Sequence, residues 1–402
     1  MSASRRIATL SAPILFPIFL VIYELTVNLS NDSYLPALQS VRSTFSITEE
    51  VTKLTVSVWF LGAALSQIFV GALSDRYGRR STLFSGGLLF FLSTLACWLA
   101  TNVEVFLSAR FFQGVSSGAL IVGGYATIHE FYDDEKSIKT LSWLNAFVIA
   151  APMMGPILGS IILLILPWRD IFLILIIPFI IACIGLWFFM PETGSLNTQN
   201  DAGLLGTFYK NIKILLCDKV FLASTLACGF LYSLIIMWIT FSPFLLVEKY
   251  RLSPILYGFL QAPIFSGYLL GGKYTRYYYN SKSKNEIILI GLKAIVGAAF
   301  LSLALSLMGF LGWLSIIFLY SLIMFGVGTA FSILSRLGIT STNVPAGTTV
   351  SIYDLLMVMC GVVFSFLASC IETSNTTLFF LLVLGISIGA YIANYTRNLS
   401  TV

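Results

Sequence analysis

Long apolar runs alternate with short breaks rich in charge or in Gly, Pro, Asn and Ser along the whole chain. A hydrocarbon layer roughly 30 Å thick is crossed by about 20 helical residues, with a usual range of about 17 to 25. On that measure the runs predict helices at 13–36, 52–74, 80–101, 104–128, 139–166 and 169–190, then at 219–247, 254–275, 286–309, 312–335, 344–371 and 376–395. That makes twelve, with breaks as short as Gly309 to Trp313. The longest polar break runs from Pro191 to Asp218 and contains GSLNTQNDAG, whose Gly, Ser, Asn and Asp are surface-turn residues. The pattern therefore predicts an all-α polytopic membrane protein with a six-helix bundle over 1–190, a linker over 191–218 and a second six-helix bundle over 219–402. Such a two-bundle plan suits a transporter.

Composition closes off the soluble alternatives. Of the 402 residues 57% are hydrophobic and only 10% charged, and the mean hydropathy is +0.91. A water-exposed surface needs roughly a quarter of its positions charged. The net charge of +5 is not a nucleic-acid signal, because the basic residues sit in the breaks, where they orient a membrane protein. With the N-terminus inside, one side holds seventeen of them: Arg5, Arg6, Arg76, Arg79, Arg80, Lys136, Lys139, Lys210, Lys213, Lys219, Lys273, Arg276, Lys282, Lys284, Lys293, Arg336 and Arg397. The other side holds five: Arg42, Lys53, Arg169, Lys249 and Arg251. This asymmetry predicts cytoplasmic termini and a cytoplasmic linker. The first apolar stretch is long and carries Glu24 and Asp32, so it reads as a retained spanning helix rather than a cleaved signal. The six cysteines form no metal-ligand spacing or disulfide framework.

Several local motifs then carry a resemblance. GALSDRYGRR at 71–80 resembles the loop between helices two and three of the major facilitator superfamily, and RFFQGVSSG from Arg110 resembles its fourth-helix motif. APMMGPILG at 151–159 is similar to the fifth-helix signature of the drug:proton antiporter branch, and PETG at 191–194 to the end of its first bundle. YELTVNLSND at 23–32 looks most like the MdfA-type multidrug transporters. The sharp matches lie in the first half. The resemblance implies a major facilitator fold with twelve transmembrane helices and secondary active transport by proton antiport, with no enzymatic step and no cofactor beyond the proton gradient. It also implies a bacterial-type inner membrane.

The polar residues inside the predicted helices are the candidate machinery. Glu24 and Asp32 are eight residues apart, about 12 Å along a helix and roughly 80° around it, so they can border one cavity without forming a hydrogen-bonded pair. A carboxylate there must be neutralised by a proton, paired with a cation or kept wet, and each option serves proton or substrate coupling; the alternative is a structural hydrogen bond. Arg110 keeps its charge and needs an acid, water or a helix carbonyl to compensate it, with Asp32 a topologically possible partner and Gln113 a further donor nearby. The resemblance gives Arg110 a coupling role, against a fixed polar clamp. It makes the loop of Gly71, Asp75, Arg76, Gly78, Arg79 and Arg80, with Glu130 nearby, a cytoplasmic gate, against a simple topology anchor. Pro152 and Pro156 break helical hydrogen bonds while Gly155 and Gly159 remove bulk, so this stretch should bend or pack closely. In the resembled branch it lies at a moving contact between the bundles.

A substrate cavity is expected near the midplane at the bundle interface. Tyr23, Asn28, Asn31, Tyr125, Leu144, Asn145, Tyr232, Met237, Trp238 and Phe265 offer a mixed aromatic and polar lining. The resemblance favours Asn31, Tyr125, Leu144 and Asn145. Asp354, about ten residues into the eleventh predicted helix, departs from the resembled pattern, which has a neutral amide there. It is a candidate proton carrier, substrate contact or local structural acid. His129 beside Glu130 is a proton switch or a wet interfacial residue, and no HExxH or phosphate-loop motif accompanies it. The resulting expectation is proton-coupled export of lipophilic drugs or toxic organic cations, by a chain acting as a monomer with protons, membrane lipid and a small substrate as its partners. An exporter of siderophores or other amphiphiles, a proton-coupled nutrient importer and a non-transporting receptor or scaffold are the alternatives.

Overall fold

The computed structural model describes residues 3–193, 211–342, 344 and 346–400. The first part of the chain forms α1 (Ala3–Asp32), a 3-10 turn (Leu35–Ala37), α2 (Leu38–Phe45), α3 (Glu49–Tyr77), α4 (Arg79–Leu99) and α5 (Val103–Ala119). A π-helical turn (Leu120–Tyr125) joins α5 to α6 (Ala126–Phe131), with α7 (Asp134–Ile162) and α8 (Asp170–Phe189) after it. The second part forms α9 (Lys219–Pro243), a second π turn (Phe244–Lys249), α10 (Pro254–Tyr278), α11 (Lys284–Leu307), α12 (Trp313–Ile339), α13 (Ala346–Ser369) and α14 (Thr376–Ser400). Among the described residues nine helices are long and apolar enough to cross a membrane. The protein is an all-α polytopic membrane protein.

Polar side chains start the helices where the apolar runs begin. Asn102 accepts from the Val105 amide, Asp133 from Lys136, Asp218 from Val220 and Phe221, and Ser253 from Leu256, while Ser283 and Glu286 close a capping box. Each satisfies an amide that the first turn of a helix leaves without a partner. Gly78 stands between α3 and α4 at φ +92°, a conformation that side-chain-bearing residues rarely adopt. The first helix ends at Asp32, earlier than its apolar run suggests. Pro36, which has no N–H to continue a helix, lies in the 3-10 turn, and α2 comes next where hydropathy predicts only a loop.

The chain forms two compact units, one of Met1–Thr48 with Val58–Gln199, the other of Glu49–Ser57 with Asn200–Val402. In the first, α1 packs on α7 and α8, and α4 on α5 and α8. Tyr23, Phe179 and Phe90 fill one part of its core, and Tyr34, Phe45, Phe106, Trp168 and Phe172 fill another. In the second, α12 lies against α9, α10 and α11, and α9 also meets α13 and α14. Trp238 lies tilted against Tyr320 with ring centres 4.1 Å apart, and Phe241 stacks on Phe379 at 4.0 Å.

Within the second unit Lys53 is fully buried, although the charge pattern places it among the flanking residues. Its Nζ is 2.5 Å from the Glu49 carboxylate, donates to the Ile371 carbonyl at 2.6 Å and lies 4.7 Å from the centre of the Phe241 ring. Glu49 also accepts from the Thr373 amide and hydroxyl, and the Ser57 and Ser365 hydroxyls are 2.7 Å apart. The Glu49–Lys53 spacing of one helical turn is the sequence signal for this cluster.

Candidate functional site

The polar centre of the first unit is assembled from α1 and the α5–α6 helix. RFFQG lets α5 approach α3 closely, since a Cβ on Gly114 would lie 1.9 Å from the Trp59 carbonyl oxygen. One turn earlier Arg110 is fully buried and lies 4.5 Å from the centre of the Tyr34 ring. Its Nη1 donates to the Ser30 carbonyl at 3.1 Å and to Gln113 Oε1 at 2.7 Å, while Nη2 donates to Asn31 Oδ1 at 2.6 Å. The Asn31 amide in turn donates to Asp32 Oδ1 at 3.1 Å, and Gln113 donates to the Thr94 hydroxyl at 2.8 Å. Asn31 thus couples the guanidinium to the acid that sequence reasoning offers as its partner. Charge-assisted bonds of this kind are roughly twice as strong as neutral ones.

Glu24 occupies a separate place. It is buried, its Oε1 accepts from the Tyr125 hydroxyl, and its Oε2 has no partner among the described residues. Tyr125 closes the π turn, a feature that frequently marks functional positions in helices. Gly124 beside it leaves room for Leu20 of α1, which a Cβ would meet at 2.7 Å. The Asn28 amide donates to the Glu24 backbone carbonyl, not to the carboxylate. The two acids therefore have different partners, one a phenol and the other an asparagine–arginine pair.

Helix α7 fixes the end of α1. A Cβ on Gly155 would lie 2.5 Å from Asp32 Cβ, and one on Gly159 1.6 Å from the Ser33 carbonyl oxygen, so APMMGPILG presses its backbone against the acid-bearing end. Pro152 and Pro156 lie in the same stretch of helix.

A second cluster surrounds the α3–α4 turn. Arg79 donates to the Ser74 hydroxyl at 2.9 Å and forms an ion pair with Glu130 at 3.1 Å, and Thr193 donates to the other Glu130 oxygen at 2.5 Å. Burial raises the Glu130 carboxyl, but the Thr193 and Arg79 hydrogen bonds and the Arg79 charge outweigh it and leave it below its ordinary value. Arg80 donates to the Trp187 carbonyl and lies 5.0 Å from the centre of its ring, and the Glu192 carboxylate faces Gly78. Arg76 is exposed. Sequence alone does not single out Trp187, Glu192 and Thr193 as members of this cluster; the PETG motif that contains the last two is the one available signal.

The other candidates are dispersed. Tyr23 is buried against Phe179, Leu144 is buried, and Tyr232 packs beside Gly361. Met237 and Trp238 lie fully inside the second unit, with the Trp238 indole donating to Gln261 at 2.8 Å, and Phe265 is buried as well. Asp354, the ninth residue of α13, is partly buried, and no hydrogen bond or ion pair among the described residues holds it. The surroundings of Gly71 and the side chains of Asp75, Asn145 and His129 lie outside the described residues, as does the linker over 194–210.

The sequence pattern of the Major Facilitator Superfamily matches residues 20–369, most of the chain. The chain belongs to the Major Facilitator Superfamily. Within it, the multidrug transporter MdfA of Edwardsiella ictaluri (strain 93-146) is 30% identical over 348 residues, covering 87% of this chain and 84% of that protein. The chloramphenicol resistance protein CraA of Acinetobacter baumannii is 29% identical, covering 86% and 83%. A crystal structure of a D-xylose-proton symporter superposes with a TM-score of 0.78 at 14% identity, over 95% of this chain and 96% of that one, a likeness of fold alone. Of these, MdfA is named as a transporter and the solved structure as a symporter.

Proposed function

We propose that the protein is a proton-coupled exporter of lipophilic drugs or toxic organic cations, acting by alternating access as a monomer of twelve spanning helices in the bacterial inner membrane, with both termini cytoplasmic. The observation that carries this reading is Glu24, a buried carboxylate with one oxygen held by Tyr125 and the other without a protein partner among the described residues. That second oxygen is where a proton or the cationic group of a substrate would go, and a buried charge requires one or the other. Coupling then arises from a difference between states: each ligand binds one accessible form better, so proton and substrate exchange places across the cycle. The names of the relatives, a multidrug transporter and a chloramphenicol resistance protein, support the substrate class.

The test is flux in oriented proteoliposomes under controlled pH and voltage, with proton movement recorded alongside a panel of cationic and neutral drugs. Glu24→Gln keeps the volume and the hydrogen bond to Tyr125 but cannot ionise. Proton-linked export of cationic compounds should fall at least tenfold at equal protein abundance. Normal cation flux and normal pH dependence in Glu24→Gln would refute the role of this acid, and uptake driven by the same gradient would refute the direction.

A further inference from the structure

The end of the second unit where α9 begins and α14 finishes gathers polar atoms that the chain does not satisfy. They are Ser224 Oγ and Thr225 Oγ1 on α9, Tyr353 OH on α13, and both amide atoms of Asn394 and Nη1 of Arg397 on α14. All five side chains are more than nine-tenths buried. Among the described residues the second unit has no other unsatisfied buried side-chain atoms, so this is a cluster and not scatter.

Contacts draw the five together. Ser224 and Thr225 precede Cys228 by four and three residues and so share its face of α9. Cys228 Sγ is 3.8 Å from the Phe331 carbonyl of α12 and lies beside both Tyr353 and Arg397. Asn394 is three residues before Arg397, on the same face of α14. Gly338 of α12 makes room, since a Cβ there would lie 3.0 Å from Ser224 Cβ.

Charge decides what completes the cluster. Arg397 Nη2 donates to Asn285 Oδ1 at 2.5 Å and to Asn398 Oδ1 at 2.7 Å, both neutral, and among the described residues no carboxylate forms an ion pair with Arg397. A guanidinium keeps its charge in proteins, and an uncompensated buried charge is strongly unfavourable. Water satisfies hydroxyls but does not neutralise a cation. We propose that this end of the second unit is a binding site for a phosphate-type oxyanion, supplied either by the headgroup of an anionic lipid or as free phosphate. Arg397 Nη1, Asn394 Nδ2 and the Ser224 and Thr225 hydroxyls supply donors to the strong acceptor oxygens of a phosphoryl group. Asn394 Oδ1 accepts from a protonated phosphate oxygen or a companion water.

Detergent-purified protein prepared without added phosphate is assayed for bound phosphorus, separated into organic-extractable and water-soluble fractions. Melting curves are then recorded with inorganic phosphate, with phosphatidylglycerol in mixed micelles, and with chloride at matched ionic strength. Organic-extractable phosphorus at one per chain, with stabilisation by phosphatidylglycerol, assigns a lipid headgroup; water-soluble phosphorus, with stabilisation by inorganic phosphate beyond that of chloride, assigns free phosphate. Either supports the site if Arg397→Gln weakens binding by about tenfold or more, the equivalent of one charge-assisted hydrogen bond. Thr225→Val, which removes one donor at nearly constant shape, should weaken it several-fold and carries the test if Arg397→Gln does not fold. No bound phosphorus and no response to either probe in the unmodified protein would overturn the proposal, as would binding unchanged in both variants.

Discussion

Replacing Gly159 with alanine puts a methyl carbon 1.6 Å from the Ser33 carbonyl oxygen, 2.6 Å from its carbon and 3.1 Å from its Cα. Ordinary contact begins at 3.4 Å, and every atom met is backbone, so no rotamer change relieves the clash. Helix α7 and the end of α1 must separate by nearly 2 Å, at the place where Gly155 also rests on Asp32. Overpacking in well-packed interiors costs about 1–3 kcal/mol, and a backbone collision belongs at the upper end. Against this, alanine gains about 1 kcal/mol of helix propensity over glycine. The net is a destabilisation of about 2 kcal/mol, roughly a thirtyfold change in the folding equilibrium. Gly297 of α11 is the control, because a Cβ there meets nothing within 4 Å and Gly297→Ala keeps the propensity gain without the collision. Thermal unfolding in one detergent should therefore rank Gly297→Ala at or above the unmodified protein and Gly159→Ala well below it, with drug flux falling alongside. Equal melting temperatures for the two variants would refute the reasoning, since backbone contact would then not decide the sign.

Asn31→Leu removes the acceptor of an Arg110 bond and the donor to Asp32 together, so it should destabilise the protein by about 1.5–3 kcal/mol in melting experiments and reduce flux. Asn28→Leu, which loses only a bond to a backbone carbonyl, should cost less. Asp354→Asn should leave melting unchanged, because no hydrogen bond or ion pair among the described residues depends on that carboxylate, while altering the pH optimum or the preference for cationic substrates; flux with a neutral and a cationic drug across pH distinguishes proton carriage from substrate contact. The Glu130 carboxyl is held below its ordinary value of 4.5, so its contribution is complete above that pH and is lost as pH falls through the lower folded value; the melting advantage of the unmodified protein over Glu130→Gln should be flat near neutrality and shrink below about pH 4.5.

The helices are readable in the sequence because their length is set by the solvent they cross and their starts by caps such as Asn102, Asp133 and Ser283, both of which act over a few residues. Glu24, Asp32 and Arg110 stand out for a related reason, charge being rare in an apolar run. Their partners do not stand out. Tyr125 reaches Glu24 from 101 residues away, and Asn31 stands between Arg110 and Asp32 through side-chain geometry that no period encodes. Lys53 and Arg397 read as flanking charges because hydropathy counts a residue without its direction, yet both are buried. Thr193, in a tail whose pattern marks only the end of a bundle, binds Glu130 for the same reason.

The π turn at Leu120–Tyr125 also gives this helix slack in the number of its residues. An α-helix advances about 100° per residue, and a π turn absorbs one extra residue without rotating the helix on its far side. Deleting a single residue there, with relaxation to an ordinary helix, would keep the faces presented on both sides of the turn and remove only the wide turn between them. The same deletion in the regular part of α5 would instead turn everything beyond it by about 100° and re-index a whole helical face. The segment should accordingly tolerate the loss of one residue better than the regular helix beside it, and a comparison that aligns it gap-free against a relative lacking the extra residue would pair Tyr125 with a position that points elsewhere.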